Sequence, residues 1–98
     1  MACHFTAQEK AFVNALLKLK TEEECIAFLE DICTIKELDS LAQRLEVARL
    51  LKKEMTYSDI AAKTGASTAT ISRVNRALVY GSGGYGIALE RCDGRTEN

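Results

Sequence analysis

The sequence predicts an all-α fold of six helices, and three observations carry that expectation. The 98-residue chain has no proline, so nothing in it forces a helix to break. Four threonines each stand three residues before an acid, the spacing of a capping box: Thr6 and Glu9, Thr21 and Glu24, Thr34 and Glu37, Thr56 and Asp59. After each of these pairs the apolar residues recur at helical rather than alternating spacing. Of six glycines, four lie between Gly81 and Gly86, which leaves too few turn residues for a β-rich chain. With 47% hydrophobic and 28% charged residues the chain falls among folded proteins, and its length allows one domain. A chain so short buries only part of its apolar surface and gains from a partner subunit.

The first helix, over 6–19, carries Phe12, Val13, Leu16 and Leu17. The second, over 21–32, places Cys25, Phe28, Leu29 and Ile32 at i, i+3, i+4 and i+7. The third, over 34–54, carries Leu38, Leu41, Ala42, Leu45 and Ala48 and continues to Leu50 and Leu51. Helices over 56–63 and 67–79 follow, and a sixth over about 84–92 lies beyond the glycine cluster. The organisation is a single domain, with a helical dimerisation region at 6–54, a helix-turn-helix at 56–79, and a glycine-rich joint with a C-terminal helix or tail at 80–98. The stripe of Phe12, Leu16 and Phe28 reads as core or dimer surface and carries no chemistry.

Charge is balanced overall, at a net −1, but divided along the chain. Residues 1–40 hold four lysines against eight acids, whereas residues 41–76 hold seven cations against three acids. A basic second half points to an anionic partner.

The segment from Tyr57 to Leu78 is where that partner would be met. Ala61 supplies the small residue at which a second helix crosses the first. Gly65, four residues later, supplies the left-handed turn that glycine adopts without strain. Ser67 then caps the second helix. Ile60, Ala61, Ala66, Ile71 and Val74 form the inner face of the pair. The outer face is Thr68, Ala69, Thr70, Ser72, Arg73, Asn75 and Arg76, with no acid between Gly65 and Gly86. Such a helix fits the major groove of double-stranded DNA, with Ser67, Thr68, Ala69 and Thr70 near base edges. Arg73 and Arg76, with Lys63 or Lys52, would neutralise phosphates. The alternative is a dimeric helical adaptor whose helix-turn-helix docks onto a protein of the transcription machinery.

Other classes are weaker. Cys3, Cys25, Cys33 and Cys92 form no C-x-x-C pair, and His4 is the sole histidine, so neither a metal site nor a disulfide is expected. Without a histidine set against a nucleophile or a convergent carboxylate pair, no enzyme is expected and no catalytic residue is assigned. No apolar run is long enough for a membrane span, and Met1 to Phe5 lacks the basic and apolar regions of a signal peptide. A cytoplasmic protein is the expectation. The Gly81–Gly86 segment has no strand before it and no Lys-Ser/Thr pair after it, so it reads as a helix stop and joint, not a phosphate loop.

The stretch from Thr34 to about Leu78 resembles the trp repressor family of bacterial regulators. The strings Glu23-Glu24-Cys25, Leu41-Ala42-Gln43-Arg44-Leu45-Glu46-Val47-Ala48 and Thr64-Gly65-Ala66-Ser67-Thr68-Ala69-Thr70-Ile71-Ser72-Arg73-Val74-Asn75-Arg76 resemble its YerC/YecD branch more closely, over about Leu16 to Leu89. The resemblance implies a six-helix trp-repressor-like fold, an intertwined homodimer and sequence-specific regulation of transcription, as a repressor. It also implies a small-molecule corepressor position: Arg44 and Arg73 match the arginines on either side of the family's bound indole, and Thr34 a position near its amino group. Where the family has glycine, this chain has Val74, whose branched side chain takes up part of that pocket. No cofactor is expected; a small-molecule corepressor stays open, with tryptophan disfavoured because of Val74.

Overall fold

The computed structural model describes residues 4–96, with side chains described as far as Cys92. It contains α1 (Ala7–Lys18), α2 (Glu22–Ile32), α3 (Ile35–Lys52), α4 (Tyr57–Thr64), α5 (Thr68–Tyr80) and α6 (Gly84–Thr96), with no strand among the described residues. All six expected helices are present. None is both long and apolar enough to cross a membrane.

The helix starts follow the hydroxyl caps. Thr6 and Thr34 form full reciprocal boxes: the Oγ1 atoms accept from the Glu9 and Glu37 amides at 3.0 Å, and the two carboxylates accept from the threonine amides at 2.8 Å. At Thr21 the hydroxyl accepts from the Glu24 amide at 3.1 Å, but the Glu24 carboxylate reaches one residue further back and accepts from the Lys20 amide at 2.7 Å. Thr56 and Ser67 accept from the amides of Asp59 and Thr70, both at 3.1 Å.

The third helix ends at Lys52, two residues before the expected boundary. Glu54 takes a left-handed conformation with φ 62°. Its amide donates to the Leu51 carbonyl at 2.9 Å, and the Met55 amide donates to the Leu50 carbonyl at 3.2 Å. This pair of bonds is a Schellman stop, here with glutamate where glycine is usual. At the other end of the chain, α6 runs on to Thr96 rather than stopping near 92.

The chain divides into two compact units, Met1–Leu38 and Asp39–Asn98. In the first, α1 and α2 bury no residue. Their aromatic contact is Phe12 against Phe28, with ring centroids 5.9 Å apart at an interplanar angle of 33°. The second holds the core: Val47, Ala48 and Leu50 of α3, Ile60 of α4, Ala66 of the turn, Ile71 and Val74 of α5, and Leu89 of α6. Leu51, Met55, Ala61, Leu78 and Tyr85 pack against it.

The α3 face differs from the expected one. Val47, absent from the predicted stripe, is fully buried, whereas Leu41 and Leu45 are exposed. The helix is apolar on two sides. Residues 47, 48, 50 and 51 meet the second unit's core, while Leu45 and Leu41 lie about one and two turns N-terminal to it on another side.

Candidate nucleic-acid interface

The α4–α5 pair is locked by short polar bonds around its turn. Gly65 sits at φ 75°, and its amide donates to the Ala61 carbonyl at 2.8 Å. The Thr64 hydroxyl donates to the Ile60 carbonyl at 2.8 Å and accepts from the Ala66 amide at 3.1 Å. From α3, the Gln43 Nε2 donates to the Thr64 carbonyl at 3.1 Å. Ser67 then opens α5, its hydroxyl also donating to the Thr70 Oγ1 at 3.1 Å. Below this frame Ile60, Ala66, Ile71 and Val74 are buried and Ala61 is half-buried, as the inner face was expected to be.

The outer side of α5 presents Ser67, Thr68, Ala69, Ser72, Arg73 and Arg76, all exposed. Thr70 and Asn75 are half-buried and stand at the flanks of that face. Thr70 is drawn in by its bonds to the Ser67 cap. Among the described residues neither arginine has a carboxylate partner, and α5 has no acid in its first turn. The face is therefore small-residue, polar and cationic, with its positive charge uncompensated.

At the far end of α3 the charge is partly internal. Arg49 donates to Glu46 through Nε at 3.0 Å and Nη2 at 2.5 Å. These hydrogen bonds hold the Glu46 carboxyl below its usual value against the opposing effect of burial, and the charges of Arg49 and Lys53 add to the lowering. A shallow cavity of about 170 Å³ lies among Arg49, Lys52, Lys53 and Leu89. Another of about 290 Å³ is bordered by Lys52, Asn75, Leu78 and Tyr85.

A family profile described as Trp repressor protein matches residues 7–93, nearly the whole chain. The chain belongs to the Trp repressor protein family. An uncharacterised Bacillus subtilis protein, YerC, is 59% identical over 78 residues, which are 80% of this chain and 75% of that one. A crystal structure of a TrpR-like protein from Eubacterium eligens superimposes with a TM-score of 0.86 at 53% identity, covering 90% of this chain and 91% of the other. A candidate Trp repressor from Staphylococcus aureus gives a TM-score of 0.87 at 44% identity, over 91% of this chain and 89% of the other.

The Trp repressor resemblance named Arg44, Arg73 and Thr34 as a ligand set. Arg44 and Arg73 are exposed residues of the second unit. Thr34 belongs to the first unit, and its hydroxyl is taken by the Glu37 amide. Val74 is 2% exposed and is part of the core. Among the described residues no group of His, Cys, Asp or Glu is placed to hold a metal. Cys3 lies outside the described residues.

Two structural features were not found from sequence, the Gln43 bond to the α4–α5 turn and the left-handed Glu54 at the end of α3. Gln43 is 21 residues from its partner, and no local pattern links it to Thr64. Glu54 occupies a position where glycine would have given the signal.

Proposed function

We propose that this chain is a sequence-specific DNA-binding transcriptional regulator, a repressor that acts as a homodimer in the cytoplasm. Its α5 reads the major groove of double-stranded DNA. The observation that carries the reading is the exposed, acid-free outer face of α5, presented by a turn whose polar groups are tied down. Ser67, Thr68, Ala69 and Thr70 stand at the end that meets base edges, and their small side chains allow close approach. Arg73 and Arg76 neutralise phosphates and give affinity that falls with salt; Ser72 and Asn75 flank them with neutral hydrogen-bonding groups.

The homodimer is supported by apolar surface left open in the first unit and at the start of α3. Leu17 is 74% and Ile35 82% exposed, and Phe12, Leu16, Ile26 and Ile32 are also open. A second copy covers such a stripe and sets two α5 helices about one DNA turn, ~34 Å, apart. Because Val74 is a filled core position, tryptophan is not needed for binding.

The test is selection of DNA sites from a random duplex pool at two salt concentrations, with and without L-tryptophan. The expected result is an enriched palindrome with half-sites about one turn apart, weakened at the higher salt and indifferent to tryptophan. Retained binding by an Arg73→Ala/Arg76→Ala double variant would refute the assigned face. A second reading, a protein-docking adaptor, is favoured by Val79 and Tyr80 at the end of α5, which are 59% and 82% exposed. No enrichment at either salt, with salt-insensitive capture of a transcription protein, would put that reading first.

A further inference from the structure

We infer that Gln43 is a positioning residue for α5: its side-chain amide pins the end of α4 and so fixes the orientation in which α5 is held toward DNA. The inference rests on the reading of α5 as the DNA-binding helix.

The last carbonyls of a helix have no partner within it. Thr64 ends α4, and its carbonyl accepts from the Gln43 Nε2 at 3.1 Å. The other bonds of the turn are internal to the helix pair. Gly65 returns to Ala61, the Thr64 hydroxyl bridges Ile60 and Ala66, and Ser67 caps Thr70. Each holds the turn's own shape, and none refers it to the rest of the second unit. The Gln43 amide does, because it comes from α3, the helix that supplies Val47, Ala48 and Leu50 to the core.

Packing of Ile60 and Ile71 sets how closely the helices approach. A hydrogen bond adds direction, since its strength falls steeply as the angle bends. The bond is half-buried, at Gln43 and Thr64 alike, so water replaces it poorly. Only the nitrogen of the glutamine side chain can face a carbonyl, which fixes the orientation of the amide as well. Gln43 thus adds a directional tie to a turn that otherwise pivots on Gly65.

The full-length protein with Gln43→Met, which keeps length and bulk but removes the donor, is the test. Gln43→Ala, which removes the amide without adding volume, is the second variant. Amide hydrogen exchange at Gly65, Ala66 and Ser67 is measured without DNA, and binding is measured to the selected site and to a random duplex at one salt concentration. Exchange in the turn is expected to speed up about tenfold, and affinity for the selected site to fall about tenfold, the equivalent of one ordinary hydrogen bond. Random-duplex affinity and its salt slope stay unchanged, because no charge is altered.

Unchanged exchange in both variants overturns the tie itself, whatever happens with DNA. Faster exchange with an equal fall on selected and random duplexes also overturns the inference, since the amide would then support the fold and not the orientation. A wild-type chain that binds no duplex defeats the DNA-binding reading and this inference with it. A wild-type chain that binds, with an unchanged selected-to-random ratio in the variants, defeats this inference alone.

Discussion

The two units of the chain start their helices in the same way and hold them by different means. In residues 4–38 the threonine caps at Thr6 and Thr21 satisfy the first amides of α1 and α2, yet these helices bury no side chain. In residues 39–92 similar caps at Thr56 and Ser67 open helices that contribute Ile60, Ile71 and Val74 to a core of eight buried residues. Caps specify where a helix begins; they contribute about 1 kcal/mol each and do not supply the burial that keeps it folded. The second unit has its own core. The first leaves an apolar stripe exposed.

That contrast is open to direct attack. The largest effect is expected in the second unit, where Ile71→Ala removes a fully buried side chain and costs about 2–5 kcal/mol, read from denaturant unfolding and independent of protein concentration. Next comes the first unit. Leu17→Glu places a charge on a residue 74% exposed in the single chain; if a second copy covers that stripe, sedimentation will show self-association weakened by at least about tenfold. Self-association equal to wild type would mean that Leu17 lies outside the interface.

A smaller and opposite change is expected where α3 stops. Glu54→Gly relieves a left-handed non-glycine residue and should raise stability by about 1 kcal/mol in thermal melts. A loss instead would show that Glu54 has a compensating role.

The smallest effect concerns Glu46. Its folded pKa is depressed by Arg49, so its contribution is complete above the unfolded carboxylate value and disappears as pH falls through the folded one. The pair is more than a third exposed, at 39% and 46%, so only about 0.3–0.5 kcal/mol is expected. Glu46→Gln should lower stability by that amount at pH 7 and by progressively less as pH falls through the folded value of Glu46, where the wild-type side chain also becomes neutral.

Much of the fold was legible because its signals are local. The Thr-x-x-acid spacing placed four helix starts, Gly65 marked the turn, and the inner face from Ile60 to Val74 followed from periodicity. The outer face of α5 was legible for the same reason, as a run without acids. What escaped was non-local or depended on the wrong residue type. Val47 was missed because α3 is apolar on two sides and a single stripe was drawn through it. The early stop at Lys52 was missed because glutamate fills a position that glycine usually marks. Gln43 escaped because only the folded chain brings it to Thr64.

The bare stripe of α1 and α2 has a consequence for how the proposed regulator would be controlled. If a second copy covers that region, as the proposed homodimer requires, mass action makes its folded fraction rise with the amount of chain present. Two chains must meet before a pair of α5 helices can span one palindrome, and occupancy at low abundance would therefore grow with the square of concentration. For such a dimer, synthesis and degradation of the chain itself would be one signal that the operator senses.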